Sequence, residues 1–245
     1  MVVEFGLLIV GAYLLGSVPA AYLVAKWSRG IDIRQYGSGN VGASNVLTVV
    51  SKRWAIPVIV FDLIKGMAIV YIAKLIGLEM YQQVIIGIAA IIGHNWPVFL
   101  RFSGGRGLLT FFGVALILAP KLALVLVVMA FVSLPFKLFA TGTLSVITLL
   151  PISSWFLSQL FGIEERLPIT LGFLVMLLIV VIKRLTAPQT SVTASVSTGQ
   201  LLVNRLFFDR DIRDREAWIH RAPLQAGSSE QPPKQPEKQG KVSDK

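Results

Sequence analysis

Six long apolar runs restrict the kind of fold that this chain adopts. They are closely spaced and fill most of the first 182 residues: 5–25, 54–76, 83–100, 108–136, 139–161 and 167–182. About 20 apolar residues in a helix span the hydrocarbon core of a bilayer. Only 15% of the residues are charged, against about a quarter in soluble domains. A soluble fold would therefore lack polar residues to cover its surface, and the sequence predicts an all-α, polytopic integral membrane protein.

The number of transmembrane helices depends on the run 108–136. This run is too long for one untilted span, and Pro120 interrupts it. Two short helices with a tight turn at Pro120 give seven spans, whereas one kinked helix gives six. With seven spans the basic residues fall in alternate loops, namely 26–53, the loop of Arg101 and Arg106, and the loop of Lys137. The positive-inside rule then predicts about seven helices, an external N-terminus and a cytoplasmic C-terminus.

The C-terminal part of the chain differs in composition from the rest. We assign residues 1–185 to the membrane domain, 186–221 to a linker with an amphipathic cytoplasmic segment, and 222–245 to a disordered tail. A solvated charged tail is the alternative for residues 201–220. The net charge of +10 is dispersed over alternate loops and the tail, so we expect membrane lipid and no nucleic acid as a partner. The oligomeric state stays open.

Two Gly-rich loops on the same predicted face are candidates for phosphate binding. The first runs from Tyr36 to Asn45, and its glycines allow backbone N–H groups to converge on an anion. Its Gly-x-Gly-x-x-Gly pattern follows no βαβ unit, so a dinucleotide fold is not predicted. The second loop carries Arg106 between glycines, and a guanidinium binds phosphate through two parallel hydrogen bonds. Alone, each loop is equally typical of a flexible connection or a helix stop, but together they favour an anion site.

Ionisable residues inside the apolar runs are the third signal. Asp62 and Lys65 lie three positions apart, on one face of a helix, where they can pair. Ionisable groups in a membrane are expensive unless they are paired or face a polar cavity, so a functional role and a structural pair are both open. His94 is typical of either a site residue or a hydrogen-bonded structural histidine. The chain has no cysteine, which excludes disulfides, thiol catalysis and cysteine–zinc sites.

Four motifs in a fixed order carry a family resemblance. They are Gly-Ser-Val-Pro at 16–19, Gly-Ser-Gly-Asn-Val-Gly-Ala-Ser-Asn at 37–45, Asp-Leu-Ile-Lys-Gly at 62–66, and Gly-His-Asn-Trp-Pro-Val-Phe at 93–99 with Gly-Gly-Arg-Gly at 104–107. Over about residues 5–183 the chain resembles the bacterial acyl-phosphate:glycerol-3-phosphate acyltransferase family, PlsY. The resemblance implies a seven-helix enzyme of the bacterial inner membrane with cytoplasmic active-site loops. It implies acyl transfer from acyl phosphate to the 1-hydroxyl of glycerol 3-phosphate, giving lysophosphatidic acid in the first step of phospholipid synthesis, without a metal or cofactor.

The resemblance also implies roles for residues of these motifs. The catalytic candidates are Ser38, Arg106 and Thr141. The substrate-binding candidates are Gly37, Gly39, Asn40, Gly42, Asn45, Lys65, His94, Gly104, Gly105 and Gly107.

The chain departs from the family pattern at several of these positions. Thr48 stands where the family has Arg, Arg106 where it has Lys, and Ser44 where it has Thr. The family's last helix ends in His-Arg-x-Asn-Ile, but here a long insert follows residue 185, and Asn-Arg-Leu at 204–206 is a candidate replacement. These departures leave an alternative function, in which a catalytically diverged member binds or carries a phosphorylated lipid or metabolite.

Overall fold

The computed structural model describes residues 2–132 and 139–219, and this described part of the chain is helical without strands. The prediction of an all-α membrane protein is confirmed. The helices are α1 Val2–Ser17, α2 Ala20–Arg29, α3 Ala43–Val49, α4 Lys52–Leu75, α5 Met80–Asn95, α6 Leu108–Leu118, α7 Pro120–Val132, α8 Phe139–Phe156, α9 Ser158–Phe161, α10 Arg166–Leu185, α11 Thr198–Phe208 and α12 Arg215–Ile219.

Four of the described helical stretches are long and apolar enough to cross a membrane: Val2–Arg29, Lys52–Leu75, Met80–Leu100 and Arg166–Leu185. Three further apolar helices are shorter: Leu108–Leu118, Pro120–Ala130 and Ala140–Phe156. At 1.5 Å per residue, α6 is about 16 Å long, roughly half the thickness of the hydrocarbon core. Length therefore supports four spans, and the count of seven stays a prediction.

Prolines divide two of the six apolar runs. The first run forms two helices rather than one, since α1 ends at Ser17 and α2 begins at Ala20; Pro19, between them, has no N–H for a continuous helix. In the run 108–136, α6 ends at Leu118 and Pro120 is the first residue of α7. Proline is well suited to that first helical position. The two-helix prediction is confirmed there, while Lys137 lies outside the described residues.

The core of the bundle is formed by apolar side chains of α1, α4–α8 and α10, among them the fully buried Phe111, Ile147 and Phe173. Helices α4 and α6 approach closely at Gly66, where a Cβ atom would overlap the carbonyl of Thr110. Small residues at such contacts are typical of helix packing in membranes. Large apolar side chains also cover the outer surface, as expected of a protein that faces lipid.

Residues 186–219, here called the C-terminal segment, are anchored on the membrane domain. Helix α11 packs against α8 and α10, and buried Arg184 of α10 donates to the carbonyl of Leu206 at 2.7 Å. Within the segment, Arg205 Nε lies 2.7 Å from the Asp211 carboxylate, which also accepts from Thr190 and Thr193. Burial alone would raise the pKa of Asp211, but these hydrogen bonds outweigh it and lower the pKa. The predicted disordered tail, 222–245, lies outside the described residues.

Candidate active site

The first Gly-rich loop is shaped by the side chain of Asn45. Its Oδ1 accepts from the backbone N–H of Ser38 at 2.9 Å, and its Nδ2 donates to the carbonyls of Ile33 and Tyr36 at 3.2 and 3.0 Å. Gly37 and Gly39 adopt positive φ angles of 55° and 71°. Since Asn45 is buried and its amide is committed to this loop, its observed contacts fix the loop backbone.

The second Gly-rich loop lies against His94. The backbone N–H of Gly105 donates to the His94 carbonyl at 3.2 Å, and a Cβ atom at Gly105 would overlap the His94 ring and the Val41 carbonyl. Only glycine therefore allows this loop to pack between α5 and the first loop. The next residue, Arg106, is thereby placed beside the first loop.

Arg106 connects three parts of the chain. Its Nη1 donates to Asn40 Oδ1 in the first loop at 3.4 Å, and its Nε pairs with Asp209 Oδ1 after α11 at 2.5 Å. The Arg106 side chain is 9% exposed and that of Asp209 is 23% exposed. The prediction that both Gly-rich loops lie at one site therefore agrees with the geometry, but the carboxylate on Arg106 comes from a segment that the motifs do not include.

Asp62, Lys65 and His94 form a buried cluster beneath the loops. Lys65 Nζ lies 2.7 Å from Asp62 Oδ1, 2.9 Å from His94 Nδ1 and 3.4 Å from the Val18 carbonyl. An ammonium group has only donors, so Lys65 is the donor in its contact with His94 Nδ1. The expected pairing of Asp62 with Lys65 is present. Lys65 is directed into this cluster, and it does not line the cavity described next.

A cavity of about 500 Å³ opens between the loops, α4, α6, α8 and the C-terminal segment. This volume is within the range of sites for small molecules. Eight of the predicted site residues line it: Ser38, Asn40, Gly42, Asn45, His94, Arg106, Gly107 and Thr141. Five others do not: Gly37, Gly39, Lys65, Gly104 and Gly105.

The cavity lining has both polar and apolar parts. The loops contribute Ser38, Asn40 and Arg106, whereas Leu47, Ile59, Leu108 and Phe112 belong to the apolar lining. A cavity with these two kinds of wall suits a ligand with an anionic group and an aliphatic chain. Within the described residues, no three His, Cys, Asp or Glu side chains are grouped to hold a metal ion.

Two polar residues that line the cavity use their donors on backbone carbonyls. Thr141 Oγ1 donates to the carbonyl of Phe207 at 3.0 Å, which ties α8 to the end of α11. Thr48, at the position where the resemblance implies Arg, donates to the carbonyl of Ser44 at 3.0 Å within its own helix. At this position α3 therefore gives the cavity a neutral hydroxyl.

The C-terminal segment supplies cavity residues that the motifs do not predict: Phe208, Asp209, Arg210, Arg215, Trp218 and Ile219. The candidate replacement at 204–206 contributes differently. Asn204 donates to the Asp211 carbonyl, and Arg205 binds Asp211 and the carbonyls of Leu185 and Pro188. These two side chains hold the segment together rather than line the cavity. The dense mixture of charged and large apolar residues in 201–220 was the only signal of this role in the sequence.

The fold and the cavity together define a helical membrane protein with a cavity that two Gly-rich loops, buried Arg106 and apolar side chains line. A model of the family described as glycerol-3-phosphate acyltransferase matches residues 6–189. The chain therefore belongs to the glycerol-3-phosphate acyltransferase family.

Relatives and solved structures agree with this assignment. The chain is 46% identical over 217 residues to "Glycerol-3-phosphate acyltransferase 4" of Dehalococcoides mccartyi (strain CBDB1), covering 89% of this chain and 94% of the relative. It is 45% identical over 221 residues to "Glycerol-3-phosphate acyltransferase 5" of Dehalococcoides mccartyi (strain ATCC BAA-2266 / KCTC 15142 / 195), covering 90% and 95%. Both matches are longer than 189 residues, so the likeness continues beyond the part that the family model covers.

The crystal structure of PlsY (YgiH), described as an integral membrane glycerol 3-phosphate acyltransferase in its glycerol 3-phosphate form, superposes with a TM-score of 0.67. It is 27% identical and matches 86% of this chain and 96% of its own. The lysophosphatidic acid form of the same enzyme superposes with a TM-score of 0.65, at 26% identity.

Proposed function

We propose that this chain transfers an acyl group from acyl phosphate to the 1-hydroxyl of glycerol 3-phosphate. Glycerol 3-phosphate as the acceptor follows from the family and from the names of its relatives. The observation that carries the rest is that one cavity joins the Gly-rich loop, Arg106 and an apolar wall. Acyl phosphate and glycerol 3-phosphate both carry phosphate, and the donor also carries an aliphatic chain. A donor of this kind therefore needs both kinds of wall.

In the proposed reaction, the 1-hydroxyl oxygen of glycerol 3-phosphate attacks the carbonyl carbon of acyl phosphate. The new ester C–O bond forms, and the C–O bond to phosphate breaks with its electron pair leaving on phosphate. The hydroxyl proton passes to the released phosphate or to solvent. The products are lysophosphatidic acid and inorganic phosphate, and the step needs no metal or cofactor.

Arg106 and the first loop have the central roles in this proposal. A guanidinium beside the reacting centre stabilises the charge that develops on the carbonyl and phosphate oxygens. Ser38 and Asn40 line the cavity together with Arg106, which contacts Asn40, and in the proposal they hold the phosphate through hydrogen bonds. Thr141 lines the same cavity, where α8 meets the end of α11.

We assign positioning roles to Asn45 and Lys65. Asn45 fixes the loop that carries Ser38, and Lys65 fixes the ring of His94, as their hydrogen bonds indicate. Each of these residues acts through its neighbour and has no contact with substrate in the proposal.

We also propose that the protein lies in the bacterial inner membrane with its N-terminus outside. The two Gly-rich loops, the start of α8 and the end of α10 meet at the same end of the bundle. Basic loops at that end favour the cytoplasmic side. The active site would then face the cytoplasm, where glycerol 3-phosphate is found.

The test measures lysophosphatidic acid formed by the purified full chain from acyl phosphate and glycerol 3-phosphate. We expect wild-type turnover and a fall of kcat/KM by about tenfold or more in Ser38→Ala, since a hydrogen bond to a charged group is lost. Ser28→Ala is the matched control, because the Ser28 hydroxyl donates to the Val24 carbonyl away from the cavity. Inorganic phosphate binding without product from the wild type would refute acyl transfer and support the binding or carrier function.

A further inference from the structure

The C-terminal segment adds two of the four arginines that line the cavity. Within the described residues, the charged groups of the lining are Arg106, Arg184, Arg210, Arg215, Asp62 and Asp209. The arginines outnumber the carboxylates, and Asp62 is already paired with Lys65. The charged side chains of the lining therefore carry a net positive charge that no carboxylate among its described residues neutralises.

The two arginines of the membrane domain are already engaged. Arg106 is held by Asp209 and Asn40. Arg184 is fully buried, and its two Nη atoms donate to the carbonyls of Ala140 and Leu206 and to Thr143 Oγ1. Among the described residues, only its Nε has no hydrogen-bond partner, so these contacts already fix the Arg184 guanidinium. The proposed reaction brings two phosphate groups into one cavity. The single positive charge of Arg106 is smaller than the negative charge of these two groups.

Among the described residues, the contacts of Arg210 leave its guanidinium group without a hydrogen-bond acceptor at Nε, as expected of a side chain that binds an anion. Its Nε is buried without a hydrogen-bond partner among residues 2–132 and 139–219, and its guanidinium stacks over the Phe208 ring at 5.3 Å. A buried guanidinium nitrogen without an acceptor is unfavourable. Burial and then neighbouring Arg215 lower the pKa of Arg210, while Asp214 opposes them. Asp214 itself accepts from the backbone N–H groups of residues 216 and 217.

Arg215 is the more exposed partner of Arg210. Its side chain is 56% exposed, and its Nη1 makes a 3.4 Å contact with the exposed Glu216. Such surface ion pairs contribute little, so Arg215 can turn toward an anion in the cavity at small cost. Two cations that repel each other at the wall of a cavity are stabilised by a dianion between them.

We propose that Arg210, assisted by Arg215, binds a phosphate group of the substrates, so that the C-terminal segment is part of the active site. This inference rests on the proposed function, which brings two phosphate groups to the cavity. The ligand chemistry is a phosphate dianion, from either glycerol 3-phosphate or acyl phosphate. Asp209, next to Arg210, holds Arg106 at the other phosphate position.

Arg213 offers a matched control in the same segment. It also stacks on the Phe208 ring, at 5.8 Å, but it does not line the cavity. Arg213→Gln therefore removes the same charge and the same kind of ring contact without touching the proposed site.

The experiment compares Arg210→Gln, Arg215→Gln, the double variant, Arg210→Lys and Arg213→Gln, in the full chain reconstituted in nanodiscs. Initial rates give KM for each substrate separately, and calorimetry gives the Kd of inorganic phosphate. We expect the KM of one substrate and the phosphate Kd to rise about tenfold in Arg210→Gln, as for loss of a charge-assisted hydrogen bond. In the double variant both constants should rise further, and in Arg210→Lys they should return part of the way to the wild-type values. In Arg213→Gln the KM and the phosphate Kd should stay near those of the wild type.

The substrate whose KM rises identifies the source of the phosphate. Equal KM and Kd values in the double variant and Arg213→Gln would overturn the inference. A fall in thermal stability or kcat with unchanged KM and phosphate Kd would also overturn it, since the segment would then be only structural. If the wild type makes no product, the proposed function fails, and the calorimetric comparison alone decides whether Arg210 binds phosphate.

Discussion

The buried pair of Asp62 and Lys65 gives the sharpest stability prediction. Their side chains are 3% and 1% exposed, and the charged atoms lie 2.7 Å apart. At this distance the attraction is about 6 kcal/mol for an effective dielectric constant of about 20. Removal of one partner leaves the other charge buried and unpaired, which typically costs about 3–5 kcal/mol. We therefore expect Asp62→Asn and Lys65→Met each to lower the free energy of unfolding by about that much.

The double variant separates this effect from simple loss of packing. With both charges removed, no unpaired charge remains, and the double variant should lose much less than the sum of the single losses. Equilibrium unfolding in mixed micelles measures the four free energies of this cycle. Lys74→Met, which removes an exposed lysine from the same helix, should change stability by no more than about 0.5 kcal/mol. A coupling energy below about 1 kcal/mol would refute the reasoning, because neighbouring charges in one network should couple by more.

Three further predictions concern the loops, the C-terminal segment and the topology. Gly105→Ala should sharply lower kcat/KM, because its methyl group displaces His94; the activity assay checks this, and unchanged kinetics would contradict the packing. The lowered pKa of Asp211 means that its contribution to docking of the segment persists at neutral pH. It is lost only as the pH falls through that pKa, below the ordinary value of about 4. The amide protection factors of the segment, which correct for the intrinsic pH dependence of exchange, should therefore fall there, and at pH 7 in Asp211→Asn; protection factors that stay the same in both cases would argue against this anchor. Since the chain has no cysteine, Val3→Cys should be labelled by an impermeant reagent from outside and Gly199→Cys only after lysis, and the reverse pattern would invert the proposed topology.

Much of the bundle could be predicted because each apolar run has to be helical in lipid, where the backbone cannot hydrogen-bond to water. The two helices on either side of Pro120 follow from one residue that cannot donate a backbone hydrogen bond. The break at Pro19 has the same chemical cause, but it was hidden inside a run of sufficient length for one helix. The length of this apolar run therefore predicted one continuous helix, whereas the structure has two.

The convergence of the two loops could be predicted from their glycines and from the shared side of the membrane. The partners of individual side chains could not. The spacing of Asp62 and Lys65 predicted their pairing, but the contact of Lys65 with His94 depends on how α5 packs against α4. The partners of Asn45 could not be predicted either. It was expected to bind substrate, but its side-chain amide is hydrogen-bonded to the backbone of the first loop.

The contribution of the C-terminal segment to the cavity could not be predicted from hydrophobic periodicity or from the motifs. Its position depends on contacts between distant residues, such as Arg184 with the Leu206 carbonyl and Arg205 with Asp211. The side chains that follow these anchors, Asp209 and Arg210, reach the cavity only because the anchors fix the end of α11. Composition identified the segment as a separate part of the chain, but not its place over the site.

The stoichiometry of the reaction tests the central claim most directly. The purified wild type is incubated with glycerol 3-phosphate and either acyl phosphate or acyl-CoA, and lysophosphatidic acid and inorganic phosphate are measured in the same samples. Acyl transfer from acyl phosphate in this cavity predicts about one phosphate released per lysophosphatidic acid formed, as the proposed step requires, with no product from acyl-CoA. Product from acyl-CoA alone, or phosphate release without lysophosphatidic acid, would contradict the proposed reaction.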